Sequence, residues 1–94
     1  MCFEIALEMQ SVLVARHREA GKRLNSIEGI GSGPMGLTPD TVKASAPFRE
    51  ARQDYDACHE ALRRFNKWFL PKYKTELRRH RQQVRETRLA ALSA

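Results

Sequence analysis

The stretch Phe48-Arg49-Glu50-Ala51-Arg52-Gln53-Asp54-Tyr55-Asp56-Ala57-Cys58-His59-Glu60-Ala61-Leu62-Arg63-Arg64-Phe65-Asn66-Lys67-Trp68-Phe69 decides the fold. Phe48, Tyr55, Leu62 and Phe69 recur every seven residues, and Ala51, Cys58 and Phe65 form the companion series. That is an a/d seam over three heptads, the mark of a helix that lays one apolar stripe against another helix. Between the seam positions sit Asp54, Asp56, Glu60, Arg52, Arg63 and Arg64. These acids and bases alternate at helical spacing, which suits surface ion pairs better than acid–base catalysis.

Upstream, Ala6, Met9, Leu13, Ala20, Leu24 and Ile27 repeat at helical spacing, with His17 filling the gap and Glu8, Arg16, Glu19 and Arg23 on the other side. This reads as an amphipathic helix over about residues 3–28. Gly29-Ile30-Gly31-Ser32-Gly33-Pro34-Met35-Gly36 then stops it, and a loop is expected over 29–37. Thr38-Pro39-Asp40 carries helix-start signals, with a capping hydroxyl, a first-turn proline and an acid. A short helix is expected over about 39–44, and Ser45-Ala46-Pro47 starts the seam helix, about 46–70.

Pro71 lacks a backbone donor and its ring crowds the preceding turn, so a kink or a break is expected there. A basic helix, about 71–91, follows. In it Tyr73, Leu77, His80, Val84 and Ala91 form a mostly apolar stripe. Lys74, Arg78, Arg81, Arg85 and Arg88 form a cationic stripe beside it, spaced 4, 3, 4, 3. If helices 46–70 and 71–91 ran on as one, they would reach roughly 70 Å at 1.5 Å per residue. The fold class expected is all-α, a single domain over 1–94 built as an antiparallel helical hairpin or small bundle with a long C-terminal helix. A lone pair of helices buries little, and Trp68 falls one position off the seam, so a second surface should cover it. A homodimer is expected; the rival is a compact monomer whose C-terminal helix folds back over Trp68.

Charge is uneven. Residues 1–45 hold five basic and five acidic groups, residues 46–70 five and four, and residues 71–94 seven and two, within a net charge of +6. The excess lies in the last helix, so the partner expected is a polyanion, most simply nucleic-acid backbone, or an acidic protein surface. Arginine suits phosphate because its planar fork donates paired hydrogen bonds. No helix-turn-helix, zinc-finger or basic-zipper layout is present, which argues against base-specific reading. Phe65, Trp68, Phe69 and Tyr73 lie among cations, but Phe65 and Phe69 are seam residues and belong to the core. Trp68 is the one expected at an interface, as an apolar anchor.

Other chemistry finds little support. Gly31-x-Gly33-x-x-Gly36 has the letters of a dinucleotide loop, but a helix precedes it, Pro34 interrupts it and no Lys-Ser/Thr follows. Cys58 and His59 are adjacent and point about 100° apart on a helix, so they cannot share an ion, and His17 and His80 are distant in sequence. No metal, cofactor or catalytic residue is expected, and the chain reads as non-enzymatic. Two unpatterned cysteines, Cys2 and Cys58, suggest reduced thiols and a cytoplasmic protein. The N-terminus lacks a signal-peptide pattern, and no apolar run is long enough to span a bilayer.

The runs Leu37-Thr38-Pro39-Asp40-Thr41-Val42-Lys43, Leu62-Arg63-Arg64-Phe65-Asn66-Lys67-Trp68-Phe69 and Tyr73-Lys74-Thr75-Glu76-Leu77-Arg78 resemble small uncharacterised helical proteins of bacteriophages and plasmids. The resemblance covers residues 37–88 and carries no functional residue over. It implies that the chain could act on a host machine, for example as an inhibitor or adaptor of a CRISPR effector.

Overall fold

The computed structural model describes residues 1–93. It is all-α, with no strand among the described residues. Helix α1 spans Phe3–Asn25, α2 spans Asp40–Lys43, α3 spans Ala46–Lys72 and α4 spans Lys74–Ser93. A single 3-10 turn, Pro34–Gly36, lies in the glycine-rich loop.

Helices α1 and α3 form the antiparallel hairpin that the seam requires. Their pairing is fixed by Gln10 to Asn66 at 2.9 Å, Arg23 to Asp54 at 3.1 Å and the His17–His59 ring contact at 5.3 Å. Ala51 and Phe69 are buried, and Tyr55, Cys58, Leu62 and Phe65 are half-buried, so the heptad seam of α3 faces inward as expected. On α1 the seam runs through Ala6, Gln10, Leu13, His17, Ala20 and Leu24. Met9 is not part of it. Gln10 takes the inward position and bonds Asn66, while Met9 stays 40 % exposed on the flank.

Helix α1 ends at Asn25, earlier than the expected 28, because the chain tightens there. Ser26 N–H donates to the Lys22 and Arg23 carbonyls, Ile27 N–H donates to Leu24, and the Ser26 hydroxyl closes on the Arg23 carbonyl at 2.8 Å. The loop is held rather than open. Gly29 has φ 88°, and a Cβ there would meet Val42 Cγ2 at 2.7 Å, so glycine is required twice over. Thr38 does not cap α2. Its Oγ1 accepts from Gly31 N–H at 3.1 Å across the loop, and Pro39 becomes the N-cap. Ser45 does hold the N-cap position of α3, but its hydroxyl donates to the Val42 carbonyl and makes no cap bond.

Pro71 neither breaks nor ends the helix. Helix α3 continues to Lys72, and the interruption falls at Tyr73, with φ −111° and ψ 28°. The Tyr73 N–H still reaches the Phe69 carbonyl at 3.0 Å, and Leu77 N–H reaches Tyr73 at 2.8 Å. One residue therefore carries the whole elbow. A straight run from 46 to 93 would measure about 70 Å, whereas the longest dimension of the molecule is 50 Å. The chain bends, so the straight rod is ruled out, whereas two helices joined through the single residue Tyr73 are what a kinked but nearly continuous helix would give. The cover over Trp68 that the compact rival required is not formed either. Helix α4 leans over the first turns of α1 and leaves Trp68 40 % exposed.

The core concentrates at this elbow. Ala6, Phe69, Tyr73 and Leu77 are buried together, with Phe3, Leu7 and Phe65 packed against them. Phe3 stacks on Phe69 at 6.3 Å, meets Tyr73 at 5.7 Å and receives the edge of His80 at 6.1 Å. The Tyr73 hydroxyl donates to the Met1 carbonyl. The radius of gyration is 18.5 Å, against about 12 Å for a globule of this length. The excess comes from a two-helix layer with α4 projecting from its end. No described helix is long and apolar enough to cross a membrane.

Candidate nucleic-acid interface

Helix α4 is anchored by its first two turns alone. Leu77 is buried and His80 is half-buried, but every described residue from Arg81 to Ser93 is exposed. The apolar stripe expected through Val84 and Ala91 thus docks only as far as His80, and Val84 remains 44 % exposed. The reason is length. Helix α1 starts at Phe3, opposite Tyr73, and α4 crosses it there, so the distal turns have no neighbour to lie on.

The docked stripe orients the cationic one. Lys74, Arg78, Arg81, Arg85 and Arg88 stand about 100° round the helix from the Tyr73–Leu77–His80 contact and are all exposed. From Lys74 to Arg88 they cover about 21 Å of helix axis. Among the described residues none of the five is in an ion pair. Glu86, the one acid between Arg81 and Arg88, accepts from Gln82 at 3.3 Å.

The contrast with α3 is informative. Arg63 and Arg64 both bond Glu60, at 2.9 and 3.0 Å, and Arg52 bonds Asp56 at 3.2 Å. The hydrogen bonds from Arg63 and Arg64 lower the Glu60 carboxyl to a pKa of about 2, and the Arg63 guanidinium is raised in turn. The ion pairs expected on α3 among Arg52, Arg63, Arg64, Asp56 and Glu60 are present, so these three arginines are engaged within the helix. The five stripe cations of α4 have no such partner among the described residues.

At the inner side of the elbow, Leu70, Pro71 and Leu77 floor a cleft of about 460 Å3 whose rim is Lys74, Arg78 and Arg81. Sequence reasoning missed this cleft because it began the stripe at Lys74, although Leu70 stands four residues earlier on the same helical face. Trp68 does not line it. Trp68 and Leu70 are two positions apart, or 200° round the helix, so they face opposite ways. Trp68 packs edge-on against Phe65 and Tyr73, each at 5.7 Å, and Lys72 Nζ sits 5.0 Å above its ring. The apolar group nearest the stripe is therefore Leu70 with Pro71.

His17 and His59, far apart in sequence, meet in the hairpin, and Tyr55 packs on His17 at 4.9 Å. No set of three metal-ligating groups converges among the described residues. Cys2 is exposed, Cys58 is half-buried on the seam, and neither is paired. The Gly31–Gly36 run precedes no helix N-terminus suited to phosphate; it is occupied by its own 3-10 turn. The chain matches no family model, no curated protein and no solved structure.

Proposed function

We propose that this is a non-enzymatic protein that binds a polyanion, nucleic-acid backbone in the first instance, through the α4 stripe, and that it does so as a homodimer. The observation that carries the reading is the unspent charge. Five cations stand in a line on a projecting helix with no acidic partner among the described residues, while on α3 Arg52 is paired with Asp56, and Arg63 and Arg64 with Glu60. A helix anchored at one end and bare along the rest offers a rod about 10–12 Å across, which a groove or a strand can approach from most sides. The contacts are to phosphate, so recognition follows charge and shape more than base identity.

The test is fluorescence-anisotropy binding to random duplex and single-stranded oligonucleotides over a salt series, with wild type beside Arg78→Glu/Arg81→Glu/Arg85→Glu. Binding that weakens steeply with salt and disappears in the triple variant supports the reading. Absence of binding at low salt refutes it.

The elbow cleft favours a second reading, an inhibitor or adaptor that docks on an acidic surface of a larger complex. Its aliphatic floor with a cationic rim suits an apolar side chain flanked by carboxylates better than a stacked base, for which an aromatic platform is usual. A host machine such as a CRISPR effector is the partner class that the resemblance over residues 37–88 implies. Leu70→Asp separates the two: it should abolish docking on an acidic partner and change nucleic-acid affinity little.

A further inference from the structure

The side of the hairpin turned away from α4 carries an apolar patch with no cover. Ile5 is 53 %, Met9 40 % and Val12 46 % exposed, in a molecule whose buried core is small. Their direction is fixed by two lines of residues. Met9, Arg16 and Arg23 are seven apart on α1, and Asp54, Ala61 and Trp68 are seven apart on α3. The Arg23–Asp54 ion pair joins the lines at one end, so both lie on one side of the layer. Trp68 therefore shares the face with Met9. Helix α4 lies on the other side, since Leu7, 200° round from Met9, lines a separate groove with Glu76, His80 and Gln83 of α4.

The charges framing the patch say what covers it. Glu8 and Arg16 stand four residues before and four after Val12 and line the same shallow groove. Among the described residues neither has an ion-pair partner. Building on the homodimer proposed above, we infer that this face is the interface with a second copy of the chain, α1 lying antiparallel on its counterpart with Val12 near the two-fold axis. In that arrangement Glu8 of each copy comes level with Arg16 of the other, so the surface complements itself in charge as an isologous interface must. Met9, Ile5 and Trp68 are buried by the same contact. Two hairpins packed face to face make a four-helix bundle, which is how a two-helix layer gains a second apolar surface. Both α4 helices remain outside, and their stripes stay free.

The measurement is sedimentation equilibrium of the full chain, with helicity and melting recorded for each variant. Wild type should show twice the 10.8 kDa of one chain. Glu8→Arg alone and Arg16→Glu alone should each raise the dimer Kd about tenfold or more, because symmetry counts each change twice and sets like charges against each other. The double variant Glu8→Arg/Arg16→Glu should return it to near the wild-type value. Val12→Cys, in a chain with Cys2→Ser and Cys58→Ser, should form a disulfide with its own copy on mild oxidation. A wild-type protein that stays monomeric at high concentration overturns the proposal. So does a dimer in which the double variant is no tighter than the singles, or one in which Val12→Cys does not cross-link.

Discussion

Arg85 and Arg63 are both exposed arginines on helices, and the structure assigns them opposite fates in binding. Arg85 has no acidic partner, whereas Arg63 donates twice to Glu60, at 2.9 and 3.0 Å. If all five stripe cations neutralise a phosphate on duplex DNA, log K falls with log salt at a slope of about −4.5. Between 50 and 200 mM salt that is a loss of roughly 500-fold in affinity. Arg85→Gln removes one contact, so the slope should drop to about −3.6 and the loss to roughly 150-fold. Arg63→Gln should leave the slope unchanged, because its guanidinium is held on both Glu60 oxygens. Both substitutions keep the helix and neither touches the core, so a titration by anisotropy at four or five salt concentrations reads the slope directly. Equal slopes for the two variants would refute the argument that ion pairing on α3 and its absence on α4 decide which cations are available.

Phe69→Ala should be the most damaging single truncation, because Phe69 is fully buried at the elbow. A loss of about 3–5 kcal/mol, in a chain with a core this thin, should leave it largely unfolded by circular dichroism. Tyr73→Phe removes only the hydroxyl bond to the Met1 carbonyl and should cost about 1 kcal/mol in urea melts. Pro71→Ala should leave the bend in place by small-angle scattering, since Phe3 still packs on Tyr73 and His80; a markedly longer particle would assign the bend to the proline ring. Glu60 has a folded pKa of about 2, below its ordinary 4.5. Its pairing therefore stabilises above pH 4.5 and is lost as pH falls toward 2, so the gap in melting temperature between wild type and Glu60→Gln should close over that range.

The helices were legible because their signals are periodic and local. The spacing of Phe48, Tyr55, Leu62 and Phe69 specifies an inward face whatever the partner, and the glycine run sets the turn between α1 and α3. The cationic stripe was legible for the same reason. What the sequence concealed were choices made by tertiary contact. Gln10 outcompetes Met9 for the seam because Asn66 waits across from it with a matching amide. Thr38 leaves the cap because Gly31 N–H is nearer once the loop closes. The bend falls at Tyr73 and not at Pro71 because Phe3, from the other end of the chain, holds the Tyr73 ring. Leu70 of the cleft was in the spacing all along, four residues before Lys74, but Pro71 beside it drew the reading toward a break.

The bare outer half of α4 has a thermodynamic consequence. Residues 81–93 have no side chain buried against the rest of the protein. Thirteen residues is near the length below which an isolated helix is marginal in water, so this segment is governed by helix–coil statistics seeded from the anchored turns at Leu77 and His80. A bound anion must then hold the distal turns helical, and part of its contact energy is spent on that ordering. Affinity should rise when the coil is suppressed in advance, by cooling, by trifluoroethanol or by alanine at Gln82 and Gln83, without any new contact to the ligand. In the free protein, amide exchange should quicken steadily from Leu77 outward along α4, and binding should slow it most at the far end.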